Sequence, residues 1–250
     1  MERPIPLLSL RAISKHFGGV EALMDVDLDV HRGEVVALVG DNAAGKSTLA
    51  RIVAGIHRPD SGTILIDGEP VTIPNAQAAF SHGIAPVFQE LALPENLDVT
   101  SNIFLGREHS VRGLLDVDAM DDLARSYLNR LHSRIPDLRA PLYTLSAGQR
   151  QCVAIARTLV ANPRLVVLDE PTASLSVSQT AEVLTYVDGL RDMGLGVILI
   201  SHNLTDVRAV ADRVEVLRHG RNNGSFSASE ATYEEILAAI TGATRSAPRR

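Results

Sequence analysis

The chain opens on alternating apolar positions, Leu8, Leu10 and Ile13 and then Val26, Leu28 and Val30, on either side of Lys15-His16-Phe17-Gly18-Gly19. A period of two predicts half-buried strands, here joined by a turn over 15–19. Gly33 turns the chain into the β-branched run Val35-Val36-Ala37-Leu38-Val39. Past Thr48, the spacing of Leu49, Ile52 and Val53 predicts a helix that stops at Gly55, with Pro59 just beyond. Gly62 to Gly68 reads as a short strand ending in a turn, and Ile84 to Phe88 as another that ends at Gln89.

From about residue 90 to 140 the pattern is different, with two helical stretches and no strand. Met120, Leu123, Tyr127, Leu128, Leu131 and Ile135 form an apolar stripe that predicts a helix over 120–135. Strand and helix then alternate again. Ser146 and Gln149 fit a capping box opening a helix through Cys152, Val153, Ile155, Ala156, Leu159 and Val160. Leu165 to Leu168 is apolar at every position, as in a strand buried on both faces of a parallel sheet. A helix through Val183, Leu184, Val187 and Leu190 leads to a strand from Gly196 to Ile200, ending at Ser201-His202. The last predicted strand lies near Val214 to Leu217, and a final helix starts at Thr232 with Glu235 three residues on. This order predicts an α/β fold.

Composition adds mainly exclusions. At 250 residues, with 45% hydrophobic and 22% charged residues, the chain is an ordinary globular sequence. Its net charge of −6 and lack of a long basic block disfavour an extended nucleic-acid surface. Cys152 is the only cysteine, so an internal disulfide and a cysteine metal cluster are excluded, and it reads as a small core residue. No apolar run approaches the roughly 18–20 residues of a membrane span. The N-terminus lacks a signal-peptide pattern, and the expectation is a cytosolic chain with a flexible basic tail over 244–250.

The candidate chemistry centres on Gly40-Asp41-Asn42-Ala43-Ala44-Gly45-Lys46-Ser47-Thr48, a phosphate loop lying between a predicted strand and a predicted helix. Its backbone N–H groups and helix N-terminus would face a polyphosphate, Lys46 would reach the outer phosphates, and the Ser47 hydroxyl would sit on Mg²⁺. Asp169 and Glu170 end the buried strand, at the carboxyl edge where open α/β sheets bind ligands. Asp169 suits the surroundings of Mg²⁺, and Glu170 the polarisation of an attacking water.

Taken together, phosphate loop 40–48, Gln89, Leu145-Ser146-Ala147-Gly148-Gln149, Asp169-Glu170 and His202 resemble the ATP-binding cassette (ABC) ATPases, in the family's order and over nearly the full chain. The resemblance implies a P-loop NTPase (RecA-like) core with an N-terminal antiparallel β subdomain and an inserted α-helical subdomain at about 90–160, forming one domain over 1–243. It also implies ATP and Mg²⁺ as ligands. Gln89 would be the glutamine that approaches Mg²⁺ and links the site to the helical lobe, and His202 the switch histidine at the γ-phosphate. Phe17 would stack on adenine, and Ser146, Ala147, Gly148 and Gln149 would meet the ATP of a second, head-to-tail copy.

Three positions depart from the family pattern. Ala43 and Ala147 stand where glycines are usual, and Ser176 stands where many cassettes carry Asp. Pro94 to Val99, Asn102 to Glu108 and Pro171 to Thr180 are similar to the ATPases of ribose- and xylose-type sugar importers. Most of those carry two fused cassettes, whereas this chain has one, like the single-cassette members described for fructose-type uptake. The partners implied are polytopic permease subunits, a periplasmic or extracellular solute-binding protein acting through the permease, and a second copy of the chain. No nucleic-acid partner is implied, and the place implied is the cytoplasmic face of the membrane. Branched-chain amino-acid importers are the main rival reading. A non-transport ATPase fits less well, because no long coiled coil and no second cassette is present.

Overall fold

The computed structural model describes residues 4–243. The tail over 244–250 lies outside the described residues. Twelve strands and eight α-helices follow in chain order among those described. They are β1 (Leu8–Phe17), β2 (Val20–Val30), β3 (Val35–Val39), α1 (Lys46–Val53), β4 (Ser61–Ile66), β5 (Glu69–Val71), α2 (Ala76–Ser81), β6 (Ile84–Val87), α3 (Val99–Phe104) and β7 (Ser110–Val111). Then come β8 (Leu114–Leu115), α4 (Val117–Arg130), α5 (Ala147–Leu159), β9 (Leu165–Asp169), α6 (Val177–Asp192), β10 (Gly196–Ile200), α7 (Leu204–Val210), β11 (Arg213–Arg218), β12 (Arg221–Ser227) and α8 (Tyr233–Thr241).

A six-stranded sheet in the order β12-β11-β3-β10-β9-β6 forms the centre, parallel except for the β11–β12 pair. β3, β9 and β10 are buried at every residue, as their uniform apolar sequences require. Alternate residues feed two cores. Val35, Val87, Val166, Leu168, Val197 and Leu199 join the helices α3–α6 on one face. Val36, Leu38, Leu165, Val167, Ile198 and Ile200 join α1 and a second, antiparallel sheet in the order β2-β1-β4-β5 on the other. The α3–α5 region therefore shares a continuous apolar core with the central sheet.

Several elements differ from the sequence reading. β1 runs through Lys15 to Phe17, so the turn shrinks to Gly18-Gly19, with Phe17 paired to Val20. α4 stops at Arg130: His132 takes φ 56°, and Ile135 precedes Pro136, a position that disfavours helical backbone. Leu131 stays buried beyond the helix end, and Ile135 packs on the same core from the loop that follows. The region after residue 90 also holds a small hairpin, β7–β8, where no strand was predicted. β11 is not the last strand. His219 and Gly220, both at positive φ, fold β12 back antiparallel in a two-residue turn. β5 and α2 were not foreseen either. Cys152 is fully buried, and burial pushes its thiol up to about 12, in keeping with a core role.

Candidate active site

The strand order gathers the site. β3, β10, β9 and β6 lie side by side, and Ile200 is level with both Leu38 and Asp169. Their carboxyl ends therefore release the phosphate loop, Ser201-His202, Asp169-Glu170 and Phe88-Gln89 along one edge.

The phosphate loop is shaped by glycines that admit no side chain. Gly40 has φ 151°, and a Cβ there would lie 2.1 Å from the Leu217 carbonyl oxygen. Gly45 has φ 102°, and a Cβ would meet Leu23 at 2.6 Å and the Ala22 oxygen at 2.7 Å. Ala43 takes φ 63°, the left-handed conformation that makes its methyl costly. Ala43→Gly should leave the melting temperature near its original value. Relief of about 1 kcal/mol of strain is offset by about 0.5–1 kcal/mol of added chain entropy. ATP binding should tighten slightly in calorimetric titration, and a large loss would show that the methyl contributes directly.

α1 begins at Gly45 without a side-chain cap, whereas α2 to α8 all have one, from Asn75, Asp98, Asp116, Ser146, Ser176, Asn203 and Thr232. Among the described α-helices, α1 alone leaves its first N–H groups to an outside acceptor. An anion at this end would complete the helix.

Lys46 is buried at 8% exposure and donates to the Gly40 and Asp41 carbonyl oxygens at 2.7 and 3.0 Å. Burial lowers its pKa, opposed by the charges of Glu170, Asp41 and Asp169. The Ser47 hydroxyl donates to Asp169 Oδ1 at 3.4 Å. Asp169 is 7% exposed, and its pKa is raised by burial and then by Glu170, against smaller opposing effects of Ser47, Arg51 and Lys46. An acid whose folded pKa is raised destabilises the fold as pH climbs from its unfolded value, about 3.9, through the folded value and above. Asp169→Asn should therefore raise the melting temperature of the nucleotide-free chain at neutral pH, by something on the order of a few degrees. It should also remove the further rise given by ATP and Mg²⁺. Thermal scans with and without ligand check both.

Glu170 takes φ 52° and is held there by its N–H, which donates to the Ile200 oxygen at 3.0 Å. His202 Nδ1 lies 2.7 Å from Glu170 Oε2, with the imidazole mostly exposed. Lys46, Ser47, Asp169, Glu170 and His202 thus form one connected group. Gln89 is exposed at the end of β6.

Two predicted parts stand apart. Phe17 is 45% exposed at the tip of the β1–β2 hairpin, edge-on to His57 with ring centroids 5.2 Å apart. The sequence reading missed His57. The Ser146–Gln149 segment makes the expected capping box at the start of α5, with Ser146 Oγ accepting from the Gln149 N–H at 3.1 Å. No hydrogen bond or ion pair among the described residues ties it to residues 40–48. Ala147 is the first helical residue, where a methyl is tolerated. Gly148 packs close to α6, where a Cβ would lie 3.1 Å from the Glu182 carboxylate and 3.3 Å from Gln179. Ser176 caps α6 with Gln179 in a second capping box, so helix entry survives without the usual Asp.

A family model described as ABC transporter matches residues 23–173. The chain belongs to the ABC transporter family. It is a P-loop cassette, and its reaction is ATP hydrolysis. The cassette is 41% identical to the xylose/arabinose import ATP-binding protein XylG of Sulfolobus acidocaldarius over 94% of each chain. It is 44% identical to the ribose import ATP-binding protein RbsA 1 of Rubrobacter xylanophilus over 95% of its own length and 47% of that protein's. It thus spans nearly all of the first and about half of the second. Among solved structures it resembles cbiO1 from Clostridium perfringens, part of the ABC transporter complex cbiONQ, at a TM-score of 0.79 and 28% identity, covering 95% of both chains. It also resembles an ATP-binding cassette of an ABC transporter in its ADP conformation, at a TM-score of 0.79 and 25% identity, covering 94% of this chain and 95% of that one.

Proposed function

We propose that this cassette is the ATP-hydrolysing subunit of an importer for a monosaccharide, seated on the cytoplasmic face of the membrane. The observation that carries the reading is the 41% identity, end to end, with a single-cassette xylose/arabinose import ATP-binding protein. Among the described residues no helix is long and apolar enough to cross a membrane. Permease subunits and a solute-binding protein outside the membrane complete the importer.

The site suits ATP with Mg²⁺. No group of three or more His, Cys, Asp or Glu that could hold a metal occurs among the described residues. Instead two oxygens, Ser47 Oγ and Asp169 Oδ1, converge beside the uncapped α1 end. Two protein ligands fit a cation that completes its shell with phosphate oxygens and water. When bound, Mg²⁺ neutralises charge on the transferred phosphate. Ser47 and Asp169 would hold it, and Gln89, exposed just past β6, would join them.

The chain's own groups do the rest. The loop N–H groups from Gly40 to Thr48 and the Lys46 ammonium bind the phosphates, and the exposed Phe17 ring offers a face to the base. Glu170 takes a proton from the attacking water, and His202 steers the Glu170 carboxylate before contacting the terminal phosphate. Ser146 accepts one bond from its own helix and keeps its O–H hydrogen for the phosphate of a partner cassette. Two copies then close head to tail around two nucleotides, and hydrolysis reopens them.

A tagged cassette drawn from detergent-solubilised host membranes tests the assignment. Recovery of a polytopic permease, and of a binding protein that takes up a monosaccharide, supports import. Recovery of soluble or ribosomal partners alone would overturn the transport role while leaving the ATPase site intact.

A further inference from the structure

The loops carrying Glu170 and His202 come from different strands, and their direct contact lies on the solvent side of the site. Beneath it is a second connection. Asp206, in the first turn of α7, is 6% exposed and divides its two oxygens between the loops. Oδ2 accepts from the Thr172 hydroxyl at 2.8 Å, and Oδ1 accepts from the Asn203 side-chain amide at 3.0 Å. Thr172 lies two residues past Glu170, and Asn203 one residue past His202.

We propose that Asp206 is a positioning residue for hydrolysis, clamping the Glu170 loop to the His202 loop through Thr172 and Asn203. The proposal rests on the roles given above to Glu170 and His202. A carboxylate suits the task because it is acceptor-only and can take a donor from each side. Bonds to an ionised acceptor are about twice as strong as neutral ones, and burial strengthens them further. Helix capping does not account for the residue, because Asn203 Oδ1 already accepts the Thr205 N–H at 2.9 Å. The clamp also resists a specific strain. Glu170 sits at positive φ, held by its N–H to the Ile200 oxygen and by its carbonyl, which accepts from the Ala173 N–H within the same loop. Only the first ties it to the neighbouring strand, so a freed loop would relax and swing the carboxylate off its line.

The test is steady-state hydrolysis of ATP with Mg²⁺ by the full chain, with thermal stability measured alongside. Thr172→Val and Asp206→Asn should lower kcat about ten- to a hundredfold with little change in the KM for ATP. Thr172→Ser, which keeps the hydroxyl, should restore most of the rate. In a Glu170→Gln background neither change should lower the residual rate further, because the carboxylate being positioned is gone. Unchanged kcat in Thr172→Val, losses that multiply in the Glu170→Gln background, or failure of Thr172→Ser to rescue would overturn the clamp. Full hydrolysis by both His202→Ala and Glu170→Gln would overturn the roles beneath it, and with them the clamp's catalytic purpose. Thr172→Val stays informative even where Asp206→Asn does not fold.

Discussion

Glu170→Gln should lower ATP hydrolysis about 10²- to 10⁴-fold while leaving ATP binding in place. The carboxylate stands at the strand end beside Asp169, with its Oε2 in contact with His202 and its backbone fixed by Ile200. An amide keeps the shape and the His202 contact but cannot take a proton from water. The nucleotide should then persist unhydrolysed and hold two cassettes together, which size exclusion with ATP and Mg²⁺ would detect. A monomeric variant that still binds ATP would mean that the cassette closes only on its membrane partner. An unchanged hydrolysis rate in the complete complex would remove Glu170 from the mechanism.

Gly40→Ala should abolish measurable ATP binding. The added Cβ falls 2.1 Å from the Leu217 oxygen, which belongs to the backbone of β11 and has no flexible end to swing away. The Gly40 carbonyl also receives the Lys46 ammonium at 2.7 Å, so any shift of this residue carries the phosphate-binding lysine with it. The expected cost is about 1–3 kcal/mol of stability together with loss of the ATP-induced rise in melting temperature. A variant that melts lower yet still gains that rise would show that the loop adapts around the methyl.

Much of this site is legible in the sequence because its chemistry needs particular residues close together along the chain. The phosphate loop, the Asp169-Glu170 pair and the Ser146 capping box are each local, and each appears where its pattern places it. Ala43 stands where the family usually has glycine, and the structure gives it the positive φ that makes the methyl costly. Features set by tertiary contact were not readable. β12 is polar on an antiparallel edge, so its sequence carries no buried alternation, and only the His219-Gly220 turn announces it. The end of α4 depended on one residue before Pro136, which the apolar stripe concealed. Asp206 looks like an ordinary acid in the first turn of a helix. Only the fold brings Thr172 to it. The motif at Gly148 points to the ATP of a partner cassette; that a Cβ there would also crowd Glu182 and Gln179 of α6 is set by the fold.

The order of the central sheet also governs when the chain can first work. β3 is made early and β9 much later, but they are not neighbours, because β10 fills the place between them. Both sheet neighbours of β3, β10 and β11, come late, so on a chain still emerging from the ribosome the strand that leads into the phosphate loop stays unpaired until residues 196–218 are free. Until then, nothing would set Asp169 and Glu170 at their working distance from Lys46. The unfinished cassette therefore lacks both a supported phosphate loop and its aligned acidic pair, and catalytic competence arrives only when the nascent chain closes that gap.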